Sequence, residues 1–405
     1  MSILGTRVIR TEDPRLLTSG GVYVDDLRTP ELSKAARVTF VRSPVAHARI
    51  TGIDVTAALQ EPGVIAVLTV ADMNDLAPPP PESDGGGGGD SLAIVVLAEE
   101  LARASGGIAV TALVTGYMST PHIAHFGTAE QRARYLPGLI SGEKIASIAV
   151  TEPGTGSNVG GITTRATAVK GGGFRLDGTK MFITNAGIAD VFVVAARTSP
   201  DGHRGITTFI VDADNPGLSL GQPLRKMGWH ASDTREVILA DCQIAADAVL
   251  GEQNRGFHQI MSAFQLERLT LAAMGVGHAE ECLQAATTYA RDRDVFGVPL
   301  ISLQATRHRL AAMSVELEAA RVLTYRAAAR LDAGHPEADR SVAMAKYHAA
   351  IAANHIVDEC VQLFGGSGFL EETPVARHFR DARVLRIGGG TDEIQLEILA
   401  KGLPA

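Results

Sequence analysis

The sequence predicts an α+β fold in which helices and strands occupy separate zones. Residues 91–140 carry helical periodicity, residues 145–245 switch to short apolar bursts divided by Gly and Asp turns, and residues 252–402 return to long stretches rich in Ala, Leu and Arg. A helix, strand, helix order segregates its elements instead of alternating them. At 405 residues the chain is long enough for two or three packed domains.

Taken in order, residues 36–70 read as β-α-β material, with apolar runs at Ala36–Val41 and Val64–Val70 around an Ala-rich piece. Pro78 to Pro81 followed by Gly85 to Gly89 has the composition of a stiff spacer joined to a flexible one. Leu92–Ala104 has a helical period, and Thr128 is a plausible N-cap for a helix over Thr128–Leu139. Strands are expected in the bursts Ile145–Val150, Val191–Ala195 and Ile206–Val211. The long C-terminal helices are broken at Phe296-Gly297, Gly334 and Gly365-Gly366.

The bulk numbers narrow the function classes. With 45% hydrophobic and 20% charged residues the chain reads as globular. A net charge of -8 argues against non-specific nucleic-acid binding. Cys242, Cys282 and Cys360 are far apart, so neither a disulfide framework nor a thiolate metal cluster is expected, no metal is implied, and a reducing cytoplasm fits. No apolar run of about 18 residues suggests a membrane span, and no signal peptide is recognised at the N-terminus.

One residue stands out within the helical pattern. Ile260, Phe264, Glu267, Leu271, Met274 and His278 recur at spacings of four and three, the buried stripe of an amphipathic helix. A carboxylate in that stripe is costly unless it is paired or used, because burial disfavours its charge. Glu267 is therefore a candidate general base, and an ion pair with a nearby arginine is the competing structural explanation.

Five short motifs accompany it. Thr151-Glu152-Pro153-Gly154-Thr155-Gly156-Ser157 leaves a strand as a small-residue loop that lets backbone approach a flat or phosphorylated ligand, although a plain glycine turn explains it too. Lys180 to Asn185 sets Phe182 and Thr184 on alternate strand positions, so both can face one side. Arg293-Asp294-Val295-Phe296-Gly297 ends a helix with a cation suited to diphosphate. Gln362 to Gly366 and Ile387 to Ile394 place glycines at helix boundaries, where backbone donors are unpaired.

Together and in this order, the motifs resemble the acyl-CoA dehydrogenase family across residues 81–405, with Asp233-Thr234-Arg235 and Gln304 also matching. The resemblance implies a helical domain over 81–144, a middle β-domain over 145–250 and a C-terminal four-helix bundle over 251–405, assembled as a homotetramer or homodimer. It implies FAD as cofactor, α,β-dehydrogenation of an acyl-CoA thioester with β-hydride passing to flavin N5, and electron-transfer flavoprotein as acceptor. Thr151, Gly156, Ser157, Phe182, Thr184, Arg293, Phe296, Gln304, Gln362, Gly366, Thr391 and Glu393 match cofactor positions, some of them across a subunit boundary. Ser157, Arg268 and Gly389 match positions at the substrate, and the Gly389 N–H is expected to polarise the thioester carbonyl as charge develops.

Many family members carry the base immediately before the Gly-Thr of the last motif, where this chain has Gly389. A glycine takes no proton. The isovaleryl-CoA and long-chain branch instead places the base in a helical Glu-Arg pair, which Glu267-Arg268 matches. An acyl-CoA oxidase, a catalytically silent flavin- or acyl-CoA-binding remnant and a poorly folded fusion product remain alternatives.

Residues 1–80 resemble the start of a molybdenum hydroxylase large subunit, of the xanthine or carbon monoxide dehydrogenase type. The phrases are Arg10-Thr11-Glu12-Asp13-Pro14-Arg15, Tyr23-Val24-Asp25-Asp26-Leu27, Arg42 to Ile50 and Pro62-Gly63-Val64. The expectation is a gene fusion in which about three helices of the dehydrogenase's first domain are truncated, and in which His47 and Arg49 sit in a turn.

Overall fold

The computed structural model describes residues 90–401, with Thr56 before them. The β-α-β expectation at 36–70, His47, Arg49 and the Pro/Gly stretch lie outside the described residues.

Helix α1 (Ser91–Ala104) starts at Asp90, whose carboxylate accepts from Ala93 N at 2.8 Å. Ser105 ends α1 and caps α2 (Gly106–Leu113). The helical path then widens into a π turn over Val114–Ser119, in which Thr120 N bonds Thr115 O. After α3 (Thr120–Phe126), the cap expected at Thr128 is present. Thr128 and Gln131 form a reciprocal capping box at the start of α4 (Ala129–Ser141).

The middle zone is an eight-stranded sheet. Strands β1 (Ala146–Ala149), β4 (Val191–Arg197) and β5 (Ile206–Asp212) coincide with the three expected bursts. The others are β2 (Arg165–Ala168), β3 (Phe174–Thr184), β6 (Leu218–Leu220), β7 (Thr234–Ile244) and β8 (Val249–Leu250). Their order is β6-β7-β3-β2-β4-β5-β8, with β1 pairing β4 in parallel. One face buries Leu176, Phe192, Val194, Phe209 and Val211, where Phe174 meets Phe209 edge-on at 5.2 Å.

The C-terminal zone holds three long helices, α5 (Gly256–Asp292), α6 (Gln304–Asp332) and α7 (Ala338–Phe364), and two short ones, α8 (Pro374–Ala382) and α9 (Asp392–Ala400). Helix α5 is the axis of this zone. Helices α1, α6 and α7 all pack on it, so every residue from Arg268 to Ala279 is buried rather than a single stripe. Leu269, Leu271, Met274 and Val276 each contribute about 1.5–3 kcal/mol by leaving water. Gly275 and Gly277 make the close crossings possible. A Cβ at Gly275 would stand 3.0 Å from Ala349 O of α7, and one at Gly277 would collide with Glu99 O of α1. Backbone approach offsets the roughly 1 kcal/mol that glycine costs inside a helix. His278, last member of the expected stripe, is fully buried and hydrogen-bonds His378 of α8, Nδ1 to Nδ1, at 2.7 Å. Burial pushes the His278 imidazole down to about 3, so the pair is neutral at physiological pH.

Between α5 and α6, β9 (Asp294–Val295) and β10 (Val298–Pro299) form a small hairpin. Phe296 and Gly297 are its two-residue loop, with φ +52° and +82°, as a type I′ turn requires. What the sequence marks as a helix break is thus a projecting arm, and Phe296 at its tip is 98% exposed.

Candidate active site

On the sheet side, β1 delivers the chain to Thr151, which is half-buried and accepts from Met181 N at 2.8 Å. That bond sets the 151–157 loop beside the end of β3. A bulge between Lys180 and Ile183 shifts the β3 register, and Phe182 at φ +60° is left 65% exposed. Non-glycine residues at positive φ cost free energy and persist where the surroundings over-determine them. Here Ile183 is buried beneath, and Ser147 Oγ donates to Thr184 O at 2.6 Å. Phe182 is exposed and Thr184 half-buried on either side of buried Ile183. Gly154 and Gly156 have open space where a side chain would begin, and Ser157 is exposed.

The loop is anchored by a feature the motifs do not explain. Glu152 and Lys180 form a fully buried ion pair, Nζ to Oε1 2.9 Å. Lys180 Nζ also donates to Val150 O at 3.0 Å, while Glu152 accepts from Thr163 N, Thr163 Oγ1 and Thr164 N. Burial opposes ionisation of Glu152, but Lys180 and these donors outweigh it and hold the carboxyl at about 2. The ammonium is shifted the other way by burial, to about 8. The carboxylate is the better-compensated partner because it collects four donors, whereas Nζ has two acceptors.

On the bundle side, α5 packs Phe257, Ile260, Met261 and Phe264 against Val150, Val159 and Ile162 beneath the same loop. One turn later it presents Glu267. Among the described residues no cation lies within ion-pair distance of that carboxylate, so the structural explanation of Glu267 as half of a salt bridge does not hold. Part of Glu267 remains open while packed protein covers the rest, and burial pushes its pKa up to about 7 against the charges of Arg268 and Lys346. Arg268 is buried. Its Nε donates to Gly389 O at 3.1 Å, and its guanidinium lies 5.8 Å over the Phe264 ring.

Gly389 stands directly opposite. It has φ +64°, and a Cβ built there would lie 3.7 Å from Glu267 Oε1 and 2.6 Å from Leu271 Cδ1. A side chain from 389 and the carboxylate from 267 therefore point into one small region. Thr391 caps α9, accepting from Ile394 N, and Glu393 lies exposed in its first turn. Two residues that the motifs omit complete the cluster. Lys346 of α7 and Gln395 of α9 are both fully buried, with Lys346 Nζ 2.6 Å from Gly390 O. Lys346 betrays itself as Glu267 does, by a charge among Val342, Ala345, Ala349 and Ala350 on a buried face.

Arg293, Phe296, Gln304, Gln362 and Gly366 do not join either side. All are exposed at the far end of the bundle, where α5 ends, α6 begins and α7 ends, and where Tyr289 stacks on Phe364 at 4.3 Å. Arg293 lies about 39 Å along α5 from Glu267 at the rise of a helix. A concavity of about 560 Å3 between β6 and β7 is lined by Arg225, Lys226, His230 and Asp233 but contains none of the expected site residues. Lys226 there is engaged by Ser232 O and Thr234 Oγ1.

Comparison with known proteins matches this arrangement in order along the chain. Residues 40–143 match the N-terminal domain of acyl-CoA dehydrogenases, residues 147–242 the middle domain and residues 254–403 the C-terminal domain. The chain belongs to the acyl-CoA dehydrogenase family. It is 39% identical to the short-chain-specific acyl-CoA dehydrogenase of Megasphaera elsdenii over 310 residues, which cover 76% of this chain and 81% of that one. It is also 39% identical to the mitochondrial isobutyryl-CoA dehydrogenase of Dictyostelium discoideum, over 75% and 73% of the two chains. The solved butyryl-CoA dehydrogenase of Megasphaera elsdenii superposes with a TM-score of 0.76, covering 78% of this chain and 82% of that one. The N-terminal-domain match begins at residue 40, so it overlaps the stretch up to residue 80 that resembles a molybdenum hydroxylase. As an acyl-CoA dehydrogenase family member, the chain is an FAD-dependent oxidoreductase. None of its described helices is long and apolar enough to cross a membrane, and all three cysteines are buried free thiols.

Proposed function

We propose that Glu267 removes the α-proton of an acyl-CoA thioester while the Gly389 amide polarises the thioester carbonyl. The observation that carries this reading is the shared region between positions 267 and 389. Among the described residues the Glu267 carboxylate is free of an ion pair, and the residue facing it is a glycine. A base near neutrality balances being ionised against pulling strongly on a proton. Arg268 does not pair with the base; it holds the carbonyl of the turn that faces it.

The sheet side suits FAD. An exposed aromatic face at Phe182, the hydroxyls of Thr151 and Thr184, and the open small-residue loop at Gly156 and Ser157 match a flat ring followed by a diphosphate. Bound there, FAD supplies the acceptor for the β-hydride, and electron-transfer flavoprotein then takes the electrons onward. Arg293, Phe296, Gln304, Gln362 and Gly366 are too far along α5 to serve the same chain's Glu267, so a second copy offers them to this site. Gel filtration with light scattering should therefore find a dimer or tetramer, and an FAD-saturated monomer would contradict the shared site.

The relatives named for butyryl and isobutyryl groups make butyryl-CoA and isobutyryl-CoA the first probes. Either should bleach the flavin absorbance of purified protein anaerobically. Glu267 must be ionised to accept a proton, so the bleaching rate at subsaturating substrate should rise as pH passes through about 7 and fall below it. A flat profile from pH 5 to 9, or yellow protein that no acyl-CoA bleaches, would rule the reading out.

The phrases between Arg10 and Val64 support a fused molybdenum-hydroxylase-like start to a chain suited to the cytoplasm, and residues 1–39, which precede the family match, are read as taking no part in this chemistry. Loss of FAD binding on deleting residues 1–39 would count against that independence.

A further inference from the structure

The turn facing Glu267 is held by side chains from three helices, and all of them bind carbonyls. Arg268 Nε donates to Gly389 O at 3.1 Å. Gln395 Nε2 donates to Gly389 O at 3.1 Å and to Gly390 O at 3.0 Å. Lys346 Nζ donates to Gly390 O at 2.6 Å. Two consecutive peptide oxygens thus collect four bonds from groups on α5, α7 and α9. The amides behave differently. Ile387 N and Gly388 N both bond to Val384 O at 2.8 Å, but among the described residues no acceptor takes the N–H of Gly389 or Gly390. Both glycines are at positive φ, +64° and +94°.

We propose that Lys346 is a positioning residue for the proton-abstraction step: with Gln395 it fixes the Gly389–Gly390 carbonyls so that the free amide of this turn stays aimed at the thioester. The inference rests on the assignment of Glu267 as the base. Preorganised donors are effective because they need not reorient as negative charge develops. A buried lysine is costly in itself, and one that spends its ammonium on the glycine turn opposite the base has a use beyond packing. The charged groups acting on it are Asp392 and Glu393 on α9 and Arg268 and Glu267 on α5, while Asp339 on α7 acts on Arg268. Arg386 occupies Asp392 at 2.6 Å, which leaves Lys346 directed to the turn and the base.

Two variants separate carbonyl clamping from charge. Lys346→Met removes both, and Gln395→Met removes two of the carbonyl bonds without changing charge. Both should lower the anaerobic bleaching rate at saturating acyl-CoA by about tenfold or more, since misplacement by 1 Å can cost about 100-fold. Only Lys346→Met should move the base's pH profile to higher pH, because a lost positive charge favours the protonated carboxyl. A readout independent of turnover is amide hydrogen exchange over the segment from Arg386 to Gln395, which should quicken in both variants. A folded Lys346→Met protein with a rate within twofold of the parent, an unmoved profile and unchanged exchange overturns the proposal. If Lys346→Met does not fold, Gln395→Met decides it: an unchanged rate and unchanged exchange overturn it, and a slower rate with an unmoved profile supports it. Glu267→Gln separates the two ideas, since normal bleaching in that variant removes the base itself. Loss of bleaching there with none in Lys346→Met removes the clamp alone.

Discussion

Replacing Glu267 with Gln should leave a yellow, folded protein whose turnover falls by about 100- to 10,000-fold, the range ascribed to a positioned general base. The amide keeps the shape of the side chain and removes only its ability to take a proton. Position 389, whose side chain would share that space, is Gly and so offers no carboxylate to substitute. Binding should change little, so KM stays within a few-fold while kcat and kcat/KM fall together, the sign of an interaction that matters in the transition state. Stability should move the other way. Burial holds the Glu267 carboxyl at about 7, above its unfolded value near 4.5. For such a group the unfolded chain ionises first as pH rises, so stability declines between about 4.5 and 7 and stays lowered above that window. A neutral Gln escapes the decline. The variant should therefore melt at or above the parent temperature at pH 8, which excludes unfolding as the cause of inactivity. Near-normal turnover with bound FAD would remove Glu267 from the mechanism.

That carboxylate was legible because a helix writes its buried face into the sequence at spacings of three and four, and a charge there is visible without a structure. The cap at Thr128 and the three apolar strands were legible for similarly local reasons. Longest of the strands, β3 and β7 carry no apolar burst because Arg175, Asp177, Arg235, Glu236 and Asp241 interrupt them, and only the end of β3 from Lys180 reads as strand in the sequence. Lys180 interrupts β3 as well, and its partner sits 28 residues away. Lys346 carries the same signature as Glu267, yet its partner is a backbone oxygen 44 residues on. Nothing in periodicity says where a buried charge is satisfied. Strand alternation puts Phe182 and Thr184 on one side, but it is silent about the left-handed backbone at Phe182, which accompanies the bulge against β7. The separation of Arg293 and Gln362 from Glu267 likewise needed helix length and packing, because motif order along a chain is silent about distance.

Lys180→Met should be the most destabilising single change on the sheet side, at about 3–5 kcal/mol, because it leaves a buried carboxylate without its counter-charge. Glu152 would keep the bonds from Thr163 and Thr164 but lose the ammonium that neutralises it. Denaturant unfolding followed by the fluorescence of Trp229, the single tryptophan, measures the loss. The acid side should respond in a defined sense. In the parent, the Glu152 carboxyl is held at about 2, so its contribution is complete above the unfolded value near 4.5 and disappears as pH falls from there through about 2. Without Lys180 the carboxyl titrates at higher pH, and acid unfolding should begin earlier. A second change tests the cause. Glu152→Leu combined with Lys180→Met removes both charges, and buried pairs replaced by apolar groups of similar volume are often neutral in stability. The double variant should therefore recover most of the loss. FAD retention separates stability from function, since Glu152 adjoins Thr151 and anchors the loop that carries Gly156 and Ser157. If the pair exists to hold that loop, the double variant will fold well and still release FAD more readily during gel filtration. Equal FAD retention in the double variant and the parent would show instead that the loop needs no ionic anchor, and a Lys180→Met protein as stable as the parent would show that Glu152 finds its compensation in Thr163 and Thr164 alone.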